Sequence, residues 1–239
     1  PLNLKEKKWT TVAPSAIKKD INWPKPKELS LEKIKKIKED FKNSAIRAKQ
    51  VGFDCLEIHM AHGYLLHQFF SPVSNKREDI YGGNLKNRSR ILLEVAETIR
   101  KIWPSNKILG ARITGTDHLK DGLNVEDAIY LSKKLKEIGI DYISVSSGGI
   151  LPKTNMKQKE GFRSNISKKI KNKSKLITTT SGLITKHDTA INLIKKKNID
   201  FITIARTIVD NPSWVYQLAS KLKKNKLIPN QYKRIFTQK

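Results

Sequence analysis

The sequence predicts an α/β fold of parallel strands, and within that class an incomplete (β/α)8 barrel over an open doubly wound sheet. Three observations carry the prediction. A local pattern recurs in "VGFDCLEIH" (51–59), "IGIDYISVSS" (138–147) and "KNIDFITIAR" (197–206). In each, a Gly or Asn suited to closing a helix is followed by Phe or Ile, then Asp, then a short apolar run. The runs are apolar on both alternations, as in strands buried on both faces. Finally, the polar residues gather at the C-terminal ends of the runs: His59 and His62, Arg112, Ser146 and Ser147, Ser181 and Gly182, Arg206. Neither GxGxxG nor GxxxxGK[ST] occurs, which removes the two commonest nucleotide fingerprints of open sheets and favours the barrel.

The elements follow in order. Residues 1–29, with "WPKPKELS", form a lead-in loop. In residues 30–50, Leu31, Ile34, Phe41, Ala45 and Ala48 share one face opposite Lys and Glu, which predicts an amphipathic helix. Similar helices are expected near 87–102, 124–138, 187–197 and 212–223. Asn124 can cap the third of the five, and Asn211 the last, with Pro212 at its first position. Two further strands, "KILGARIT" (107–114) and "KLITTTSG" (175–182), complete a set of five. A closed barrel needs eight. The expectation is one partial-barrel domain over 1–239, with βα units across 30–223 and a tail at 224–239.

The formal net charge is +26, from 48 basic and 22 acidic residues. The excess is mostly Lys, spread over helix faces and loops, without a basic stripe interleaved with aromatics. Specific nucleic-acid binding is therefore not expected, and polyanion binding is the weakest of the readings. The lone cysteine, Cys55, sits in an apolar run and is expected to be a small buried hydrophobe in a reducing compartment. No run approaches a membrane span and no signal-peptide pattern opens the chain, so a cytoplasmic protein is expected.

"EIHMAHGYLLHQFF" (57–70) holds three of the five histidines. His59 and His62 form an HxxH, but His59 ends a strand, and no HExxH or third ligand is evident, so no metal site is expected. Two readings of the pair stay open: histidines satisfying loop backbone, or donors to a substrate oxygen on which negative charge develops. Tyr64 is either an aromatic packed under the loop or a proton donor. Arg112, closing "ILGARIT", needs a partner, either a salt bridge or a bound anion.

The stretch "GFDCLEIHMAHGYLLHQFFSPVSNKREDIYGGNLKNRSRILLEV" resembles the old yellow enzyme family, in its NADH:flavin oxidoreductase and xenobiotic reductase branch. The resemblance continues through "GARITGTDHLKDGL", "IDYISVSSGG", "SGLIT", "DFITIART" and "NPSWVYQLA", and upstream to "WTTVAPSAI". It implies strands four to eight of a (β/α)8 barrel that holds FMN at its C-terminal mouth. It further implies an ene reductase, fed by NADPH or NADH, that reduces the activated C=C of an α,β-unsaturated carbonyl. By the same resemblance, His59 and His62 hold the substrate carbonyl and Tyr64 protonates the α-carbon. Arg112 lies by the flavin ring, Ser147, Gly148, Gly182, Ala205 and Arg206 lie toward the phosphate, and Arg234 reaches substrate in a neighbouring subunit. Thr179 and Ala205 depart from the family, standing where Gly is usual, and a methyl at 205 narrows the room for the phosphate. The "SNKREDIYGGNLKNR" loop, with Gly82, Gly83 and Arg88, reads as scaffold. His67 reads as structural. The competing reading is a non-catalytic remnant lacking three βα units, whose exposed edges call for a complementing N-terminal segment or a second copy.

Overall fold

The computed structural model describes residues 10–196 and 199–236. Asn198, expected to close a helix, lies outside them. In chain order the elements are β1 (Val12–Ala13), β2 (Lys27–Glu28), α1 (Leu31–Gln50), β3 (Cys55–Met60), α2 (Leu65–Phe70), α3 (Leu85–Ile102) and β4 (Ile108–Thr114). Then come α4 (Val125–Ile138), β5 (Tyr142–Ser146), α5 (Ser164–Ser174), β6 (Ile177–Thr180), α6 (His187–Lys195) and β7 (Phe201–Ile202). Helices α7 (Arg206–Asp210), α8 (Trp214–Lys221) and α9 (Asn230–Phe236) end the described chain.

Strands β3 to β7 form one parallel sheet in sequence order, as successive βα units dictate. Helices α1, α3, α4 and α5 pack side by side on one face of it. Between the two layers lies the core: Ile58, Met60, Leu109, Ala111, Ile113, Ile143 and Val145 from the strands, against Ile91, Val95, Ile99, Leu131, Leu135 and Ile170 from the helices. Local signals place the helix ends. Ser30 caps α1, and Asn124 forms a capping box with Asp127 at the start of α4. Gly139 closes α4 in the left-handed conformation, φ 94°.

The other face of the sheet is the concave side of a partial barrel, and several expectations fail there. Cys55 is exposed, as are Phe53, Ile108, Ile177 and Phe201. The strand residues of this set share the register that points to this face, where no layer covers them among the described residues. Burial on both strand faces therefore holds for the middle of the sheet and fails along β3, which forms an edge. Leu31, expected on the buried face of α1, is half exposed. The last expected helix starts two residues late. Ser213 precedes Trp214, and Asn211 instead accepts the Ser213 N–H in a turn, at 3.2 Å.

One inward layer holds itself in place. Tyr142 on β5 crosses in front of Gly110 on β4 and donates to Glu57 on β3 at 3.0 Å. A Cβ at 110 would lie 2.2 Å from the Tyr142 ring, so the glycine makes room for this bridge. Burial and the neighbouring Glu57 carboxylate push the Tyr142 phenol above its ordinary range, so it stays a donor.

Candidate active site

The next inward layer toward the C-terminal mouth carries the chemistry. Parallel register sets His59 beside Arg112, Arg112 beside Ser144, Ser144 beside Thr179, and Thr179 beside Phe201. Beyond β3 the chain turns through Ala61–Tyr64, and His62 takes a left-handed φ of 61°. Such a conformation is uncommon for a residue with a Cβ and persists where surroundings fix it. Here Gly63 and Gly149 do so by backbone contact: a Cβ on Gly63 would meet the Gly149 carbonyl oxygen at 2.1 Å.

The two histidines converge. Nε2 of His59 lies 3.4 Å from Nδ1 of His62. The backbone N–H of Ala61 donates to His59 Nδ1 at 3.2 Å, which leaves the His59 proton on Nε2. The Ser146 hydroxyl sits 2.5 Å from His62 Nε2. When that hydroxyl donates, the His62 proton is placed on Nδ1. The two N–H nitrogens then stand 3.4 Å apart, close enough to donate to a single oxygen lodged beside them. Burial, then the Arg112 charge, lowers the pKa of both rings, His62 to about 4. Near neutral pH each ring is uncharged and carries one proton. Tyr64 is exposed beside them, its ring edge-on to His59 at 5.2 Å between centroids. It does not pack under the loop.

His62 has a consequence for stability. Its folded-state pKa lies below the ordinary 6.5, so the unfolded chain binds more protons between pH 6.5 and 4. Stability is then full above pH 6.5 and falls as pH drops through that window. His59 and His118, both lowered by burial, add in the same direction. The denaturant midpoint is expected to fall from pH 7 to pH 4.5, and His62→Asn to flatten the slope. Equal wild-type midpoints at the two pH values would rule this out.

Next to the histidines lies a cavity of about 580 Å³ lined by Arg112, Arg163, Ser181, Gly182, Ala205 and Arg206, among others. None of the three arginines has an ion pair among the described residues, and Arg112 Nε is buried without a hydrogen-bond partner. Burial, then Arg112 and Arg206, pulls the Arg163 pKa down to about 10. Three converging guanidiniums, faced by the one carboxylate of Asp210, make a site that an anion would relieve. This donor set fits a phosphate-bearing group such as FMN. Ala205, at φ −127°, needs no glycine freedom there. Thr179 accepts from Thr203, just past β7, at 3.1 Å and donates to Ser144 on β5.

The remaining predicted residues divide. Gly182 lines the cavity at φ 129°, and a Cβ there would press on the Phe162 ring at 2.8 Å. Ser147 is buried outside the lining and acts through Arg163, accepting from its Nε at 3.0 Å. Gly148 spends its N–H on the Thr116 carbonyl. Arg234 lies exposed on α9 and lines neither this cavity nor the smaller one beside Tyr64. Arg88 donates to the Phe70 and Gly83 carbonyls, in keeping with a scaffold role.

Sequence reasoning passed over Arg163 and Asp117, and placed Ser146 at a strand end without giving it a role. Arg163 is an Arg in a chain whose basic residues are mostly Lys, the one signal available for it. Asp117 is fully buried and braces the turn from beneath. It accepts from His67 Nε2 at 2.9 Å, from Ser71 at 2.6 Å and from the Leu123 N–H at 2.8 Å. His67 Nδ1 in turn accepts the Gly63 N–H at 2.8 Å. No grouping of three or more His, Cys, Asp or Glu able to hold a metal occurs among the described residues. No helix among them is long and apolar enough to cross a membrane.

The NADH:flavin oxidoreductase / NADH oxidase family model matches residues 3–225. The chain belongs to this family. Within it, the NADPH dehydrogenase of Listeria innocua is 39% identical over 225 residues, covering 93% of this chain and 65% of that protein. The NADPH dehydrogenase of Geobacillus sp. is 37% identical over 223 residues, with the same coverage. The chain thus spans about two-thirds of the length of the relatives it matches. Morphinone reductase, solved in complex with tetrahydroNAD, superposes with a TM-score of 0.73 at 26% identity, covering 90% of this chain and 60% of that one. 2-Naphthoyl-CoA reductase shares the fold, with a TM-score of 0.81 at 24% identity over 89% of this chain and 33% of that one. The partial-barrel architecture and the old yellow enzyme resemblance both stand.

Proposed function

We propose that this chain forms the flavin-phosphate and substrate-activating part of an FMN-dependent, NAD(P)H-fed oxidoreductase that reduces the activated C=C of an α,β-unsaturated carbonyl. The observation that carries the reading is the convergence of two neutral histidine N–H groups beside a cavity of unpaired arginines. Arg163 and Arg206 would hold the FMN phosphate, with Gly182 and Ala205 giving close backbone approach and Ser147 orienting Arg163. Arg112 would face the ring. When bound there, FMN would supply the hydride for the substrate β-carbon. His59 and His62 hold the carbonyl oxygen and stabilise the charge that grows on it, and Tyr64 delivers a proton to the α-carbon. The exposed inner face and the open edge of β3 support covering by a complementing N-terminal segment or by a second copy of the chain, where Arg234 could reach a neighbour's substrate.

The reading is tested by adding FMN to the purified chain, following flavin absorbance, and then supplying NADPH or NADH with 2-cyclohexenone. A yellow protein that bleaches with donor and recovers with the enone is expected. A chain that takes up no FMN supports the non-catalytic remnant instead, which the uncovered inner face favours. Arg163→Met is expected to weaken FMN binding about tenfold or more, the size of one charge-assisted hydrogen bond. Unchanged affinity would place the phosphate elsewhere.

A further inference from the structure

A second cavity, about 290 Å³, is lined in part by Tyr64 and shares no lining residue with the arginine cavity. One wall is the turn after β3, with His62, Gly63 and Tyr64, joined by Gln68 and Val73. The facing wall is the lead-in loop between β1 and β2, with Val12, Ile17, Lys19, Trp23 and Pro26. The short β1–β2 pairing and Arg77 pin that loop. Arg77 donates to the carbonyls of Pro14 and Leu29 at 2.9 and 2.6 Å, on either side of the loop. The wall is thus fixed to the scaffold at both ends.

Lys19 is the unusual member. Its ammonium lies 5.2 Å from the centre of the Trp23 ring and 3.3 Å from where a Gly63 Cβ would stand. That places a cation against the backbone between His62 and Tyr64. It has no hydrogen bond or ion pair to a carboxylate among the described residues, and no acidic side chain lines the cavity. Burial alone lowers its pKa. Elsewhere, Lys side chains near this degree of cover are paired, Lys38 with Glu94 and Lys171 with Asp200. A partly desolvated cation without a carboxylate, with Lys18 as a second cation in the lining and Ile17, Trp23, Pro26 and Val73 as apolar wall, is arranged to receive an anion on an apolar body.

We infer that this cavity is a carboxylate-recognising subsite, in which Lys19 binds the acid group and Trp23 the flat apolar body of a small unsaturated acid. The inference rests on the reading that Tyr64 and His62 face substrate, and it deepens that reading by naming an acidic substrate class. Lys19 touches the non-reacting end of the ligand, so it sets preference among substrates and leaves the chemistry to the histidines and Tyr64.

The test compares trans-cinnamate with trans-cinnamamide, which match in shape and differ in charge. Binding to the full chain is measured by titration calorimetry, with and without FMN and without electron donor. The acid is expected to bind about tenfold more tightly than the amide, a preference that shrinks with added salt. Lys19→Met should collapse the ratio toward one, and Lys19→Arg should retain it. Equal affinities in the wild type, or no binding of the acid, overturn the inference. So does an acid preference that survives in Lys19→Met, which would place the carboxylate at the arginines. Because no turnover is read, a failed reductase assay counts against the proposed activity and leaves this result separate.

Discussion

Replacing Asp117 with Ala is expected to destabilise the fold by about 3–5 kcal/mol, because three buried donors lose their acceptor at roughly 1–3 kcal/mol each. The carboxylate has no solvent exposure and accepts three hydrogen bonds, from His67, Ser71 and Leu123. Burial alone would raise its pKa, but the hydrogen bonds from His67 and Ser71 and the Leu123 N–H hold it below the ordinary value. Without the carboxylate, the His67 Nε2–H, the Ser71 hydroxyl and the Leu123 N–H lose their acceptor in a dry interior, each at a desolvation cost. His67 would then turn or take up water, and the Gly63 N–H would lose its own acceptor. The effect should therefore reach the turn that presents His62 and Tyr64. Urea unfolding of the wild type, Asp117→Ala and Asp117→Asn measures it. Asn keeps the shape and one acceptor and should fall between the other two. A change below about 1 kcal/mol for the Ala variant would mean that the network is not supporting the turn. The carboxylate's contribution is present above its unfolded pKa and is lost as pH falls through the lower folded value. Acid should thus narrow the difference between wild type and variant.

The extent to which this arrangement is legible in the sequence depends on the range of the interactions. Strand order and the strand-end position of His59, Arg112 and Ser146 follow from short-range pattern, since apolar runs closed by polar residues report which end of a strand faces the mouth. The Asn124 cap and the Gly139 stop are equally local. Helix α5 carries few apolar residues, chiefly Ile166 and Ile170, in a basic stretch, so its periodicity is faint although Ile170 is fully buried. Cys55 misled because its neighbours are apolar. Burial depends on what lies across the inner face, and one strand's composition does not contain that. Asp117 and His67 are fifty residues apart, and Lys19 meets Gly63 across more than forty. Such pairs exist only once the turn and the lead-in loop have been brought together. Arg163 lies at the start of α5, off the strand-end pattern that marked the other arginines.

Substituting Ala for both His59 and His62 is expected to lower turnover of an α,β-unsaturated ketone by about 10²–10³-fold, the effect of removing donors aimed at a developing oxyanion. Ala61 fixes the His59 tautomer, a donating Ser146 hydroxyl selects the Nδ1–H form of His62, and low pKa values keep both rings neutral. The two donors are therefore present before substrate arrives and need no reorganisation as charge appears. Their hydrogen bonds strengthen as the carbonyl oxygen becomes negative, so the loss should fall on kcat more than on KM. Ser146→Ala separates orientation from presence. It leaves both rings but removes the hydroxyl that biases His62 toward the Nδ1–H form, so a partial loss in kcat is expected. Steady-state kinetics on the flavin-loaded protein decide the matter. A double variant whose KM rises while kcat stays unchanged would make the histidines ground-state binding groups and would remove them from the chemical step.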